Sequence, residues 1–207
     1  MHTQTPQQVE KEEIIKIVQN FLGEEYIKIS LDKIMIEEDM KEETTQVRCA
    51  LALTNSEERI LQIEATGRGV IDALFNGLRR AFVSKYYSFE DIFFDDFSIN
   101  IDPFSRRKKS GTDVAVYVDL TVVNSTNVAY HFASSSRSFN TAAIYAVLEA
   151  IEYYLNCEVA VLRLKELIKD AQKRLRDDLE ATYIHMLGTI VRSASYIKTV
   201  EEWKNKN

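Results

Sequence analysis

TNSEERILQIEATGRGVIDALFNGLRRA, residues 54–81, and VNSTNVAYHFASSSRSFNTAAIYAVLEA, residues 123–150, align without a gap at one constant offset, 124 − 55 = 69. Identical pairs fall at Asn55 and Asn124, Ser56 and Ser125, Arg68 and Arg137, Ala73 and Ala142, and Ala81 and Ala150. The hydrophobic register agrees beyond these identities. Val47, Cys49, Leu51 and Leu53 fall on Val116, Val118, Leu120 and Val122, and Leu61 and Ile63 fall on Tyr130 and Phe132. A shared offset and a shared pattern of inward positions point to a duplicated unit. Two like units related by a pseudo-twofold axis create a seam, and seams are where ligands and partner chains tend to bind.

Working outward, the apolar residues Val9, Ile14, Ile17, Val18, Phe21 and Leu22 recur at helical spacing until Gly23, so residues 7–22 read as an amphipathic helix. Tyr26 to Ile36 reads as a strand, Glu37 to Glu43 as a charged turn, Val47 to Leu53 as a cleanly alternating strand and Ile60 to Ala65 as a third. Short polar turns between alternating runs imply antiparallel hairpins. Gly67-Arg68-Gly69 then opens a helix with Ile71, Leu74, Phe75, Leu78 and Phe82 on its buried stripe. The second unit repeats the order with strands at 92–101, 112–123 and 128–133 and a helix from Phe139 to Asn156. The expected fold is α+β: two pseudo-twofold-related units, each three antiparallel strands plus one helix, because each sheet has one apolar face to cover. Its expected divisions are an N-terminal helical extension (1–23), a two-repeat domain (24–156, as 24–88 and 89–156) and a C-terminal helical extension (157–207). From Glu158 onward, apolar residues from Leu162 to Val191 keep helical spacing. Such a stripe is exposed unless it packs back or pairs with another chain.

The formal charge of −6 argues against a general binder of nucleic acid or anionic membrane, both of which need clustered Lys and Arg. The one basic run, Arg106-Arg107-Lys108-Lys109, has no interleaved aromatics and reads as a solvated loop. No apolar run reaches the roughly 20 residues that span a bilayer, and the start lacks a signal peptide's basic and apolar regions. Cys49 and Cys157 lie far apart without metal-ligand spacing, which makes a reducing cytoplasm the expected location.

Catalytic constellations are absent from the pattern. His2, His131 and His185 show no metal-ligand spacing to each other or to a cysteine, and the acidic runs flank turns. No catalytic residue, metal or cofactor is expected. An enzyme would need carboxylates such as Asp72, Asp95 and Asp113 grouped in one pocket. The paired turns Gly67-Arg68-Gly69 and Ser136-Arg137-Ser138 make the better case. Each lies between a strand end and a helix start, where free N–H groups and the helix dipole can hold an anion, and an arginine can pair with a carboxylate. The competing reading is a tight turn with arginines that are exposed or bridged to Asp72, Asp95 or Asp96.

The run Ala65-Thr66-Gly67-Arg68-Gly69-Val70-Ile71-Asp72-Ala73-Leu74-Phe75 resembles the Gly-x-Gly-Pro-Val-Asp-Ala motif in the C-terminal regulatory domain of 2-isopropylmalate and citramalate synthases. The similarity continues through Phe97-Ser98-Ile99, Gly111-Thr112-Asp113-Val114 and the helix from Thr141 to Asn156, over roughly residues 25–165. The resemblance implies a pair of three-strand-plus-helix units that dimerises and binds leucine or isoleucine as a feedback inhibitor. Those enzymes carry their chemistry on a separate barrel of about 250 residues, so the regulatory module without the synthase is what the resemblance implies here. Val70 stands where the motif has proline, and bulky Phe139 follows the second turn, which counts against leucine itself as the ligand.

The expected function is therefore a non-catalytic, homodimeric module that binds a small amino acid or related carboxylate between its units. Its expected ligand residues are Gly67, Arg68, Gly69, Val70, Asp72, Ala73, Ser136, Arg137, Ser138 and Phe139, with the C-terminal helices passing the signal to a partner protein. The alternative is a ligand-free dimerisation scaffold or assembly protein on the same fold, suggested by the long C-terminal stripe.

Overall fold

A computed structural model describes residues 6–56, 59–101, 114–125 and 127–193. Helix α1 (Pro6–Leu22) leads into strands β1 (Ile29–Asp39), β2 (Thr44–Leu53) and β3 (Ile60–Gly67) and helix α2 (Val70–Val83). The pattern then repeats with β4 (Phe93–Ile101), β5 (Val116–Val123), β6 (Ala129–Ser136) and helix α3 (Phe139–Lys173), and helix α4 (Asp177–Ser193) follows. The strands form two separate antiparallel sheets, ordered β1-β2-β3 and β4-β5-β6. The α+β duplication read from the sequence is thus present. The basic run 106–109, His2 and Asp113 lie outside the described residues.

Each unit places its alternating apolar residues under its own helix. Val47, Leu51, Val118, Leu120, Val122 and Phe132 are all 0% exposed. Helix α2 packs on β3 and β2, α3 packs on β6 and β5, and the two helices also touch each other, so one continuous core runs through both units. Gly77 lets α2 sit close, since a Cβ there would lie 2.7 Å from the Ala65 Cβ. The repeat also extends to irregularities. One extra residue bulges β1 between Leu31 and Ile34, and another bulges β4 between Phe94 and Asp96.

The two hairpins differ by a slip of two residues. Val47 pairs with Ala65, so the offset would pair Val116 with Ser134; instead Val116 pairs with Ser136 and Val118 with Ser134. Because side chains alternate with period two, an even slip keeps every inward residue inward. The duplicated asparagines act differently at these turns. The side-chain oxygen of Asn124 accepts from Val128 N (3.0 Å) inside its own turn, whereas Asn55 Nδ2 donates to Tyr26 O (3.0 Å) and ties its turn to the chain before β1.

Several element boundaries differ from the sequence reading, and two of these differences share one reason. The first strand begins at Ile29 rather than Tyr26, and the helix expected to end at Asn156 runs unbroken to Lys173, 35 residues in all. Asn156 is 1% exposed; its Oδ1 accepts from Ile27 N (2.8 Å) and its Nδ2 donates to Ile27 O (2.7 Å). One turn earlier, Glu152 accepts from Ile29 N (2.9 Å) and from the Tyr26 hydroxyl (3.3 Å). In the segment before β1, Ile27 therefore satisfies its backbone on α3, while Lys28 pairs with Thr54 at the end of β2. Glu158, 0% exposed, accepts from Tyr87 N (2.8 Å), Ser88 N (3.0 Å) and the Ser88 hydroxyl in the 3-10 turn that precedes β4.

The C-terminal stripe packs back on its own chain. Helix α4 lies against α3 and α1, with Leu187 6% and Ile190 0% exposed opposite a run of α3 that includes the fully buried Leu164 and Ile168. Lys11 fastens α1 to the second unit, donating to His131 O (2.7 Å) and Glu149 (3.0 Å), with its ammonium 4.5 Å from the Phe132 ring centre.

Replacing Asn156 with Ala leaves the Ile27 N–H and C=O buried without their partner. At about 1–3 kcal/mol for each stranded group, Asn156→Ala is expected to cost about 2–5 kcal/mol in urea unfolding. A loss below about 0.5 kcal/mol, the range of an ordinary surface change, would show that this contact does not hold β1.

Candidate functional site

The two turns that join strand to helix occupy equivalent places, but only the first carries a carboxylate. In the first unit, the Asp72 carboxylate folds back from the first turn of α2 and accepts from Arg68 N (2.9 Å), while its other oxygen accepts from Asn76 Nδ2 one helical turn on. This places a negative charge at the positive end of the helix dipole, where it is stabilising. It also occupies an N–H that the sequence reading left for a ligand. Gly67 is required by the same packing, since a Cβ there would lie 2.5 Å from both Ala73 N and Asp72 Oδ2. Gly69, with an extended backbone (φ −177), has nothing within 4 Å of a Cβ and serves as the N-cap.

In the second unit the offset puts Ser136, Ser138 and Thr141 at the places of Gly67, Gly69 and Asp72. With no carboxylate folded back, position 136 has room for a Cβ, and the Ser138 hydroxyl caps α3 by accepting from Thr141 N (3.4 Å). The Ser136 hydroxyl accepts from Ser138 N (3.3 Å). The first turn thus holds a hydrogen-bonded carboxylate, and the second is a neutral cap beside an arginine. Arg68 and Arg137 are both exposed.

The remaining candidates divide by burial. Val70 (5% exposed) and Ala73 (0%) lie in the core under the first turn, and Phe139 is half-buried, packed against the core at the second. The structure brings together Gly67, Arg68, Asp72 and the Ala73 backbone in one turn and Ser136, Ser138 and Thr141 in the other. Asn76, which fixes the Asp72 carboxylate, was missed by the sequence reading; its spacing of four residues from Asp72 on one helix face is the signal that could have found it. A small cavity of about 40 Å³ near the β1–β2 turn is lined by Met35, Ile36, Glu37, Gln46 and Arg48, none of them a predicted ligand residue.

Other titratable groups fit structural roles. Asp95 and Asp96 are exposed at the β4 bulge, where Asp96 Oδ1 accepts from Phe97 N (2.8 Å). His131 Nδ1 lies 3.3 Å from Asp119 Oδ1 and 3.4 Å from the Thr121 hydroxyl on the outward side of the second sheet, and His185 is exposed on α4. Burial pushes the Cys157 thiol up to about 12 and the Tyr153 and Tyr154 phenols well above their ordinary value, which keeps all three neutral within the core. Among the described residues no group of three or more His, Cys, Asp or Glu is placed to hold a metal ion, and no helix is long and apolar enough to cross a membrane.

Residues 8–155 match the family of the LeuA allosteric (dimerisation) domain. No curated protein matches the chain.

The asymmetry of the two glycines gives a direct test. Gly67→Ser is expected to destabilise the protein by about 1–3 kcal/mol, the usual cost of overpacking, because the Asp72 corner has no space for it. Gly69→Ser copies the second unit's cap and is expected to be neutral or stabilising by up to about 1 kcal/mol. Equal losses at both positions in thermal unfolding would contradict this geometry.

Proposed function

Because the chain belongs to the LeuA allosteric (dimerisation) domain family, we propose that it is a non-catalytic dimeric module that senses a small amino acid or related carboxylate at the seam between its two units. The observation that carries this reading is the pair of equivalent turns with unlike charge inside the matched residues. The first offers a carboxylate, Asp72. The second offers a helix start with no carboxylate of its own and the exposed Arg137. The two turns differ in what they favour: Asp72 suits a cationic group, and Arg137 with the N–H groups that open α3 suits a carboxylate. Arg68 assists as the second cation, and Phe139 beside the cap meets the ligand's apolar part.

Binding at such a seam shifts the balance between two arrangements of the units by no more than the ligand's difference in affinity for them. The cytoplasm suits two buried free thiols. The scaffold alternative drew its support from an uncovered C-terminal stripe, and α4 covers part of that stripe while Leu162 and Leu175 stay 42% and 85% exposed.

Thermal unfolding with branched-chain amino acids and their 2-keto and 2-hydroxy analogues tests the proposal. A ligand at about 100 times its dissociation constant adds roughly 2.7 kcal/mol, and each kcal/mol moves the midpoint of a chain this size by about 2–4 °C. One amino acid is expected to raise Tm by several degrees while its 2-keto analogue does not. The double variant Arg68→Ala, Arg137→Ala is expected to abolish the shift. A shift that survives in that variant removes the arginines from the site, and no shift across the panel removes amino-acid sensing.

A further inference from the structure

The helix-side face of the second sheet is covered on two strands and bare on the third. Under α3, Val118 and Leu120 of β5 and Phe132 of β6 are 0% exposed. Strand β4 continues the same face: Phe97 pairs with Leu120, Ile99 with Val118 and Ile101 with Val116. Yet these three are 42%, 49% and 49% exposed. The packing of α3 falls on β5 and β6, and α2 reaches the start of β4 through Phe75, whose ring lies 6.3 Å from that of Phe94. The intervening residues Ser98 and Asn100 are polar, so β4 has the alternation of a strand buried on its helix side and wet on the other. Three adjacent apolar positions in that register are far from the scattered exposed hydrophobics of an ordinary surface.

We propose that this face of β4, centred on Ile99, is where a second copy of the chain docks, face to face across a twofold axis. The inference rests on the dimeric reading above and names the surface that reading requires. A second copy is the occupant because β4 lies wholly within the residues matched to a dimerisation domain. On the other long apolar surface, the C-terminal stripe, Leu164, Ile168, Leu187 and Ile190 are already covered by the chain itself. The patch also suits its own image. Phe97, Ile99 and Ile101 carry no charge, so the same surface on both partners brings no like charges together at its centre, as an isologous contact requires. The equivalent strand does not offer this: beyond its bulge β1 presents Ile34 and Ile36, both half-buried, and then Glu38.

The test is Ile99→Glu, read by sedimentation velocity over a dilution series of the full chain. Ile99 is half exposed, so one chain can tolerate the charge, whereas a dimer must bury two like charges against each other. That costs several kcal/mol, and the dimer dissociation constant is expected to rise about 100-fold or more. Met35→Glu, on the outward side of β1 at 59% exposure, is expected to leave the dimer unchanged. If circular dichroism shows that Ile99→Glu does not fold, the pair Phe97→Thr, Ile99→Thr keeps good strand formers and is expected to weaken the dimer at least about 10-fold. A wild-type dimer that both β4 variants leave intact overturns the assignment of this face and leaves the dimeric reading standing. A wild-type chain that stays monomeric at every concentration overturns both.

Discussion

The fold depends on three polar side chains in the middle of α3, the buried Asn156 and Glu158 and the half-buried Glu152. Glu152, Asn156 and Glu158 lie within two turns of one another, and each spends its hydrogen-bonding capacity on the backbone of another segment. Asn156 and Glu152 hold the chain that enters β1, and Glu158 holds the turn that enters β4. The first strand of each unit is an edge strand with only one neighbour in its sheet, so its start needs a second attachment. From the other side, α2 reaches the turn before β4 as well: Arg79 donates to Phe89 O (2.6 Å) and Glu90 O (2.8 Å). Buried polar groups of this kind are costly unless fully paired, and for that reason they specify one arrangement of the two units over others that would bury the same apolar area.

Duplication supplied the frame, and divergence placed unlike chemistry on it. Both units keep the bulged first strand, the alternating hairpin and the strand-to-helix turn. The Gly67 and Asp72 pair of the first unit became Ser136 and Thr141 in the second, and the change is coupled: removing the carboxylate frees the space that a Cβ at 136 needs. A symmetric pair of turns would prefer a symmetric ligand. The turns instead present unlike groups at equivalent places: Asp72 in the first, and Ser138 and Thr141 beside Arg137 in the second.

Helix α3 also gives the seam a mechanical connection. It starts at the Ser138 cap and carries Asn156 18 residues on, a distance of about 27 Å along a rigid helix. The same helix leaves β4 uncovered, which places the bare apolar face beside the second turn in the same unit.

The duplication, the two alternating hairpins, the helix starts at 70 and 139 and the paired turns were all legible in the sequence, because they are set by local periodicity and by contacts a few residues apart. Asp72 and its turn belong to the same class, since both partners lie on the first turn of one helix. The continuation of α3 past Asn156 was not legible. Asn156 and Glu158 read as the polar end of an amphipathic helix, and their partners at Ile27 and Ser88 lie 129 and 70 residues away. Nor could the pattern show that Leu164, Ile168, Leu187 and Ile190 of the C-terminal stripe are covered while the apolar side of β4 stays bare. Periodicity states which residues share a face; what lies against that face is a long-range contact that the tertiary fold alone decides.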